Sequence, residues 1–189
     1  MNKSPLTFAL IGAGGIAQTH LQAFAKTNLA KLGAVIDLRT EAAEAVAAAM
    51  HCQAFATVDA IPESLQIDAA IVCTPPSTHP EICRALAKRG VHVLCEKPIA
   101  IDLISAIDMI ETAHREDTLF TMASKFRYVE DMVYAKQLIT SGVLGDILLF
   151  ENTFAGHVDM TKRWNSNPVV SGGGVLIDNG THSVDIVRY

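Results

Sequence analysis

The feature that most constrains the fold is a regular alternation of short apolar runs with segments of helical spacing over residues 6–123. We expect the apolar runs to be six strands, at 6–11, 32–36, 53–56, 68–73, 91–95 and 119–123. Strands joined by helices form parallel sheets, and strands buried on both faces are almost continuously apolar, as these runs are. The sequence therefore predicts an α/β fold, a doubly wound parallel sheet, with residues 1–123 as its domain.

The pattern changes after Ala123. We expect a helix over 129–141, a strand over 146–154, an irregular stretch and then a further element from Val175. One strand and two helices cannot form an independent sheet domain. We therefore expect residues 124–189 to be an incomplete second domain and the chain to be a fragment. The alternative is a small appendage that packs on the first domain.

Composition excludes several classes of protein. Half of the 189 residues are hydrophobic, and the formal net charge of −5 gives no electrostatic reason to bind nucleic acid or an anionic membrane. No apolar run reaches the roughly 18 residues that span a bilayer, and the N-terminus lacks the features of a signal peptide. The four cysteines are scattered and read as reduced residues, so we expect a cytoplasmic protein.

A glycine motif follows the first expected strand. Residues 12–17 read Gly-Ala-Gly-Gly-Ile-Ala and match G-x-G-x-x-A where a strand leads into a helix. In this motif Gly12 permits a tight turn, and Gly14 lets a pyrophosphate approach the backbone. The helix that opens with Gly15 and Ile16 presents amide donors to the phosphates. The motif predicts a dinucleotide-binding Rossmann fold; the alternative is a glycine-rich turn without a ligand.

Asp37 ends the second expected strand. An acidic residue here accepts hydrogen bonds from the adenosine ribose and repels a 2′-phosphate, which favours NAD as the cofactor. Arg39 lies two residues further on, and an arginine near this position can bind that phosphate, so NADP stays open. The alternative for Asp37 is a solvated residue or a cap for the next helix.

The fourth expected strand is followed by Thr74, Pro75 and a second proline. Prolines lack amide donors and stiffen a loop, so this segment suits a wall beside a cofactor, with Thr74 and Pro75 as candidate contacts. His79 opens the next helix. It either contacts the cofactor or lies at the helix start as a cap or a solvent-exposed residue.

Glu96, Lys97 and Pro98 follow the fifth expected strand, at the edge where open α/β sheets bind their ligands. Lys97 is either surface charge paired with Glu96 or a proton donor beside a cofactor. A later motif favours the second interpretation, because Asp178 and His182 are four residues apart and would share one face of a helix. A carboxylate, an imidazole and a lysine together can bind a sugar-like hydroxyl and move its proton.

Two other interpretations of Asp178 and His182 stay open. Their spacing also suits metal ligands, but the sequence offers no third strong ligand nearby, so we expect no metal. The other alternative is a purely structural Asp–His pair.

Together these motifs resemble the family of glucose-fructose oxidoreductase, inositol dehydrogenase and MocA (Gfo/Idh/MocA), over essentially the whole chain. The resemblance rests on five motifs in order: the glycine motif at 12–17, Thr-Pro-Pro at 74–76 with His79, Glu-Lys-Pro at 96–98, Ser-Gly-Val-Leu-Gly at 141–145, and Gly-Gly-Gly-x-x-x-Asp-x-Gly-x-His-x-x-Asp at 172–185. It implies an N-terminal Rossmann domain followed by an α/β substrate and oligomerisation domain with a large open sheet, in proteins considerably longer than this chain.

The resemblance also implies roles for individual residues. Lys97 is then the catalytic lysine, His182 is its partner acid or base, and Asp178 positions the substrate or tunes His182. All three would contact the substrate.

Further residues take supporting roles by the same resemblance. Glu96 orders the cofactor site, and the peptide bond before Pro98 resembles one that is often cis. Arg127 is expected near the nicotinamide, and Trp164 near the substrate cleft.

The resemblance predicts an NAD- or NADP-dependent oxidoreductase that moves hydride between the nicotinamide and a secondary alcohol of a sugar, cyclitol or related polyol. One alternative is a nucleotide-sensing regulatory protein without catalysis. Another is an enzyme that uses bound NAD transiently, for elimination or glycoside cleavage. The expected partners are the small polyol or sugar substrate and, at full length, further copies of the chain, with no nucleic acid and no membrane.

Overall fold

The structure, a computed structural model, describes residues 4–161 and 163–189. The chain divides into two compact units between Met122 and Ala123. In the described residues the first unit contains all of the strands, and the second contains helices and irregular segments. The assignment of residues 124–189 to a substrate and oligomerisation domain stays a prediction. None of the helices within the described ranges has the length and apolar character needed to cross a membrane.

The strands of the first unit form one parallel sheet. They are β1 (Leu6–Ile11), β2 (Ala30–Ile36), β3 (Gln53–Phe55), β4 (Ala69–Val72), β5 (His92–Cys95) and β6 (Phe120–Met122). Their order across the sheet is β3-β2-β1-β4-β5-β6, and each neighbouring pair is parallel. This is the strand order of dinucleotide-binding doubly wound sheets. The predicted fold class is confirmed, and each of the six expected strands is present.

Helices cover both faces of this sheet. They are α1 (Gly15–Phe24), α2 (Thr40–Met50), α3 (His79–Lys88) and α4 (Leu103–Arg115). Successive residues of a strand point to opposite faces. Accordingly Leu10 of β1 belongs to a core cluster with alanines of α1 and α2, whereas Ala9 and Ile11 belong to a second cluster with Leu86 of α3 and Met109 of α4. The sheet is therefore buried on both faces, and its strand ends are left to carry the polar residues.

The second unit is helical in its regular parts. A 3-10 turn at Lys125–Tyr128 leads into α5 (Glu130–Thr140). A second 3-10 turn at Trp164–Ser166 precedes three short helices, α6 (Pro168–Ser171), α7 (Val175–Asp178) and α8 (Gly180–Arg188).

Two expectations for this unit are wrong. No strand forms over 146–154, where Leu148 is 94% exposed. A strand needs a partner for its backbone hydrogen bonds, and the described part of the second unit contains no other strand to pair with. The single helix expected to carry Asp178 and His182 is instead divided at Asn179, so the two residues lie on α7 and α8. Asn and Gly at 179 and 180 are both poor helix formers.

Candidate functional site

The turn between β1 and α1 has the properties of a phosphate-binding loop. Gly12 has a φ of 93°, and a Cβ at this position would lie 3.0 Å from backbone atoms of Cys73 and Thr74, so only glycine fits. Gly14 has a φ of −80°, which any residue adopts. No heavy atom lies within 4 Å of the position that its Cβ would take. The described chain itself does not require glycine at 14, and the open space in front of it suits an approaching pyrophosphate.

The start of α1 completes this loop. No side chain in the described residues caps the first turn, and that turn contains no acidic residue. Gly15 and Ile16 are exposed there. The first amides of a helix lack partners within the helix and carry its partial positive charge. These residues therefore fit the phosphates of a dinucleotide.

Asp37 lies beside the glycine loop, at the end of β2. Its Oδ2 accepts a hydrogen bond from the Ala13 amide at 2.8 Å, and its Oδ1 accepts one from the Arg39 amide at 2.8 Å. The Arg39 guanidinium donates to both carboxylate oxygens, at 3.2 and 3.1 Å. Burial raises the pKa of Asp37, but these hydrogen bonds outweigh burial and hold that pKa below its ordinary value. The carboxylate is therefore ionised at neutral pH and paired with Arg39. Because Arg39 is the N-cap residue of α2, the cap interpretation of Asp37 is wrong.

His79 lies inside the first unit. Its side chain is 0% exposed, so the interpretation as a solvent-exposed residue is wrong. One ring nitrogen is 2.8 Å from the Thr74 carbonyl oxygen, and the other is 3.2 Å from the Ile99 carbonyl oxygen. Burial lowers the pKa of His79, so the ring is neutral at physiological pH. A neutral imidazole has one N–H, and the shorter contact assigns it to the Thr74 carbonyl, so that Nδ1 accepts from the Cys95 thiol 3.3 Å away. Contact of Thr74, half-buried Pro75 and His79 with a cofactor stays a prediction.

Glu96 and Lys97 follow β5. The Glu96 amide donates to the Val72 carbonyl at 2.9 Å, which fixes this segment against the end of β4. Oε1 of Glu96 lies 2.8 Å from Nε2 of His20 in α1, and Oε2 of Glu96 accepts a hydrogen bond from the Lys97 amide at 3.2 Å. Lys97 is half-buried, and its peptide bond to Pro98 is cis, as the resemblance predicted.

The topology brings these first-unit residues to one edge. Asp37, Gly12, Thr74 and Lys97 follow β2, β1, β4 and β5, which are consecutive strands of the sheet. Because all are parallel, their carboxyl ends share one edge, where such sheets bind ligands. His20 was missed by the sequence analysis, since no local pattern on α1 points to a residue 76 positions away.

A second group of polar residues lies within the second unit. His182 is 9% exposed, and its ring packs edge-on against Phe126 with 5.0 Å between centroids. The Phe154 ring lies 6.2 Å from the His182 ring. Asp178 accepts a hydrogen bond from Asn165 at 3.2 Å, next to the exposed Trp164. Of these, Asn165 and the two phenylalanines carry no motif and were missed.

Arg127 pairs with Asp185 in the same unit. The guanidinium donates to both carboxylate oxygens, with Nη2 to Oδ1 at 2.6 Å and Nε to Oδ2 at 3.0 Å. The hydrogen bonds from Arg127 hold the pKa of Asp185 below its ordinary value, although burial opposes them. The predicted role of Arg127 near a nicotinamide stays a prediction, as do the roles of Lys97, Asp178, His182 and Trp164. Within the described ranges, no group of three or more His, Cys, Asp or Glu residues could hold a metal ion.

Comparison with known proteins gives the same assignment along nearly the whole chain. Residues 6–124 match the model of an oxidoreductase family with an NAD-binding Rossmann fold, and residues 132–189 match the Gfo/Idh/MocA C-terminal domain. The chain is 30% identical to inositol 2-dehydrogenase of Rhizobium meliloti, over 96% of this chain and 54% of that protein. It is 34% identical to glucose-6-phosphate 3-dehydrogenase of Bacillus subtilis, over 95% of this chain and 52% of that protein.

The fold is also that of solved structures. The WlbA dehydrogenase of Bordetella pertussis, crystallised with NADH and UDP-GlcNAcA, superposes with a TM-score of 0.85 at 22% identity, over 100% of this chain and 56% of that chain. The chain thus spans about half the length of the curated relatives that it matches. On its two family matches and its sequence identity to these relatives, the chain belongs to the Gfo/Idh/MocA oxidoreductase family.

Proposed function

We propose that this protein is an NAD-dependent dehydrogenase or reductase that acts on a secondary alcohol of a sugar, cyclitol or related polyol. The observation that carries the proposal is the common edge shared by the open turn at Gly14 and by Lys97. Two relatives are named as dehydrogenases of inositol and of glucose 6-phosphate, which supports the substrate class. A homo-oligomer of the full-length protein belongs to the same proposal.

The cofactor is held by the chain's own groups in this proposal. The amides at the start of α1 bind the pyrophosphate, and the Asp37 carboxylate accepts hydrogen bonds from the ribose hydroxyls. Bound NAD supplies the acceptor or donor of hydride. Arg39 keeps NADP open as the second cofactor.

Proton transfer is assigned to Lys97. Its amine takes the proton of the substrate hydroxyl during oxidation and returns it during reduction. His182 is proposed as the partner acid or base, and Asp178 as the group that orients the substrate; both roles rest on the family motif. Positioning and proton handling are thus the protein's contribution.

Replacement of Lys97 tests the proposal. In Lys97→Ala of the full-length protein, turnover on a panel of polyols should fall at least ~100-fold, the usual scale of general acid–base catalysis. The dissociation constant for NADH should stay within about twofold, because Lys97 is outside the phosphate-binding turn. NADH absorbance reports turnover and NADH fluorescence reports binding. Lys88→Ala, at the exposed end of α3, is the matched control and should leave both unchanged.

Other results would favour the alternatives. Near-normal turnover in Lys97→Ala would rule out its role. NADH binding by the full-length protein without turnover on any polyol would favour a nucleotide sensor. Product formation without net release of NADH would favour a cycle in which bound NAD is reduced and reoxidised.

A further inference from the structure

Both oxygens of the Glu96 carboxylate are engaged, each with a different part of the first unit. Oε1 lies 2.8 Å from Nε2 of His20 on α1, and Oε2 accepts a hydrogen bond from the Lys97 amide. A carboxylate only accepts hydrogen bonds, so Nε2 of His20 is the donor. The side chains of Glu96 and His20 are 13% and 17% exposed. Water therefore competes little for this hydrogen bond.

The Cys73 thiol lies close enough to Glu96 to feel its charge. That thiol is buried, and burial together with the Glu96 charge raises the pKa of Cys73 to about 12. The thiol is therefore protonated and uncharged, and it places no second negative charge beside Glu96. His20 supplies a well-placed donor that holds the carboxylate toward α1.

We infer that His20 is a positioning residue for Lys97, acting through the Glu96 carboxylate. The helix that begins at the glycine loop thereby also determines where Lys97 lies. Because Pro98 has no amide hydrogen, the Lys97 amide is the backbone donor through which Glu96 acts on this turn. The inference rests on the proposed use of Lys97 in proton transfer, but the contact itself is tested without turnover.

Hydrogen exchange of the Lys97 amide, measured by NMR on the 189-residue chain, tests the contact. In His20→Ala the carboxylate loses its anchor on α1, and the Lys97 amide should exchange at least ~10-fold faster. The Glu96 amide should keep its rate, because it donates to the Val72 carbonyl in the sheet. Alanine is the best helix former, so the substitution does not weaken α1 itself.

Two variants complete the design. His20→Gln keeps an N–H donor of similar reach and should restore slow exchange of the Lys97 amide. His114→Ala removes an exposed histidine from α4 and should leave the Lys97 amide unchanged. Unchanged exchange in His20→Ala would overturn the inference. Equal acceleration at Glu96 would overturn it too, since the strand end would then be opening as a whole.

Titration with NADH separates this inference from the proposed function. His20→Ala should bind NADH within about threefold of the unaltered chain, because the loop amides and Asp37 are untouched. A loss of affinity beyond about tenfold would assign His20 to the cofactor and overturn its role toward Lys97. Failure of the unaltered chain to bind NADH would instead contradict the proposed function, and the exchange rates would still decide the inference.

Discussion

Main-chain groups take part in holding the candidate site residues of the first unit, and side-chain pairs are prominent among those of the second. At the sheet edge of the first unit, two main-chain amides donate to Asp37 beside its pair with Arg39, and the Thr74 main-chain carbonyl accepts a hydrogen bond from His79. In the second unit Asp178 and Asp185 accept hydrogen bonds from side chains, those of Asn165 and Arg127. A site held by main-chain groups follows from sheet topology, so it tolerates many substitutions. A site held by side-chain pairs depends on each partner.

Burial shows the same difference. In the described residues, every buried hydrophobic side chain lies in the first unit. The buried residues of the second unit are all polar or charged, namely Ser124, Ser171, His182 and Asp185. The hydrophobic core therefore stabilises the first unit, whereas the buried side chains of the second unit are polar or charged. Substitutions that affect the backbone should lower stability most in the first unit, and substitutions that remove a charge should lower it most in the second unit.

The largest effect on stability is expected at Gly12, where the backbone of the first unit leaves no room for a side chain. Gly12→Ala places a Cβ at a φ of 93° and 3.0 Å from the backbone of the Cys73–Thr74 segment. The left-handed conformation and the overpacking together should cost about 2–4 kcal/mol of unfolding free energy. Urea unfolding followed by far-UV circular dichroism measures it.

Gly14→Ala is the matched control. Its φ of −80° is ordinary and the space around it is open, so the free energy of unfolding should stay within about 0.5 kcal/mol. The new methyl group would occupy the space assigned to the pyrophosphate, and NADH should bind at least ~10-fold more weakly. Retained NADH affinity in Gly14→Ala would contradict the placement of the cofactor at this turn.

The next effect concerns the side-chain pair of the second unit. Arg127→Ala leaves the Asp185 carboxylate, with 9% of its side chain exposed, without its guanidinium. Loss of one partner of a buried pair costs about 3–5 kcal/mol, and the exposure of Arg127 reduces our expectation to about 1–2 kcal/mol. Fluorescence of Trp164, the single tryptophan, reports unfolding of this unit in urea.

The pH dependence has a defined sign. The pKa of Asp185 is lowered in the folded chain, so the pair contributes fully above the ordinary value of 3.8 and is lost as the pH falls through the lowered pKa. The difference between Arg127→Ala and the unaltered chain should therefore be full at pH ~7 and shrink below pH ~3.8. Arg188→Ala, an exposed arginine of α8, should show no such pattern. A constant difference across this range would assign the effect to lost packing.

The sequence located the sheet edge because each chemical motif directly follows a strand. Gly12, Asp37, Thr74 and Lys97 are all readable in this way, since parallel strands bring their carboxyl ends together. The contact of His20 with Glu96 was not readable, because it joins residues 76 positions apart with no periodic sign on α1.

The second unit was less predictable for a physical reason. A pattern of mixed polarity over 146–154 suits a strand, but a strand forms only with a partner, and pairing is not encoded in the segment itself. His79 shows a related limit in the first unit. A histidine before a proline at a helix start looks exposed, and its burial depends on the Thr74 carbonyl, which accepts a hydrogen bond from its ring.

The smallest effect on stability is expected at Arg39. Its side chain is 67% exposed, so Arg39→Ala should change the free energy of unfolding by less than about 0.5 kcal/mol. Its effect on cofactor choice should be larger, because the guanidinium neutralises the Asp37 carboxylate, which would otherwise repel a 2′-phosphate. NADPH should bind about tenfold more weakly to Arg39→Ala, and NADH within about twofold of the unaltered chain. Lys31→Ala, the control, removes one positive charge from the opposite end of β2. An equal loss of NADPH affinity in Lys31→Ala would assign the effect to net charge and not to the pair of Arg39 with Asp37.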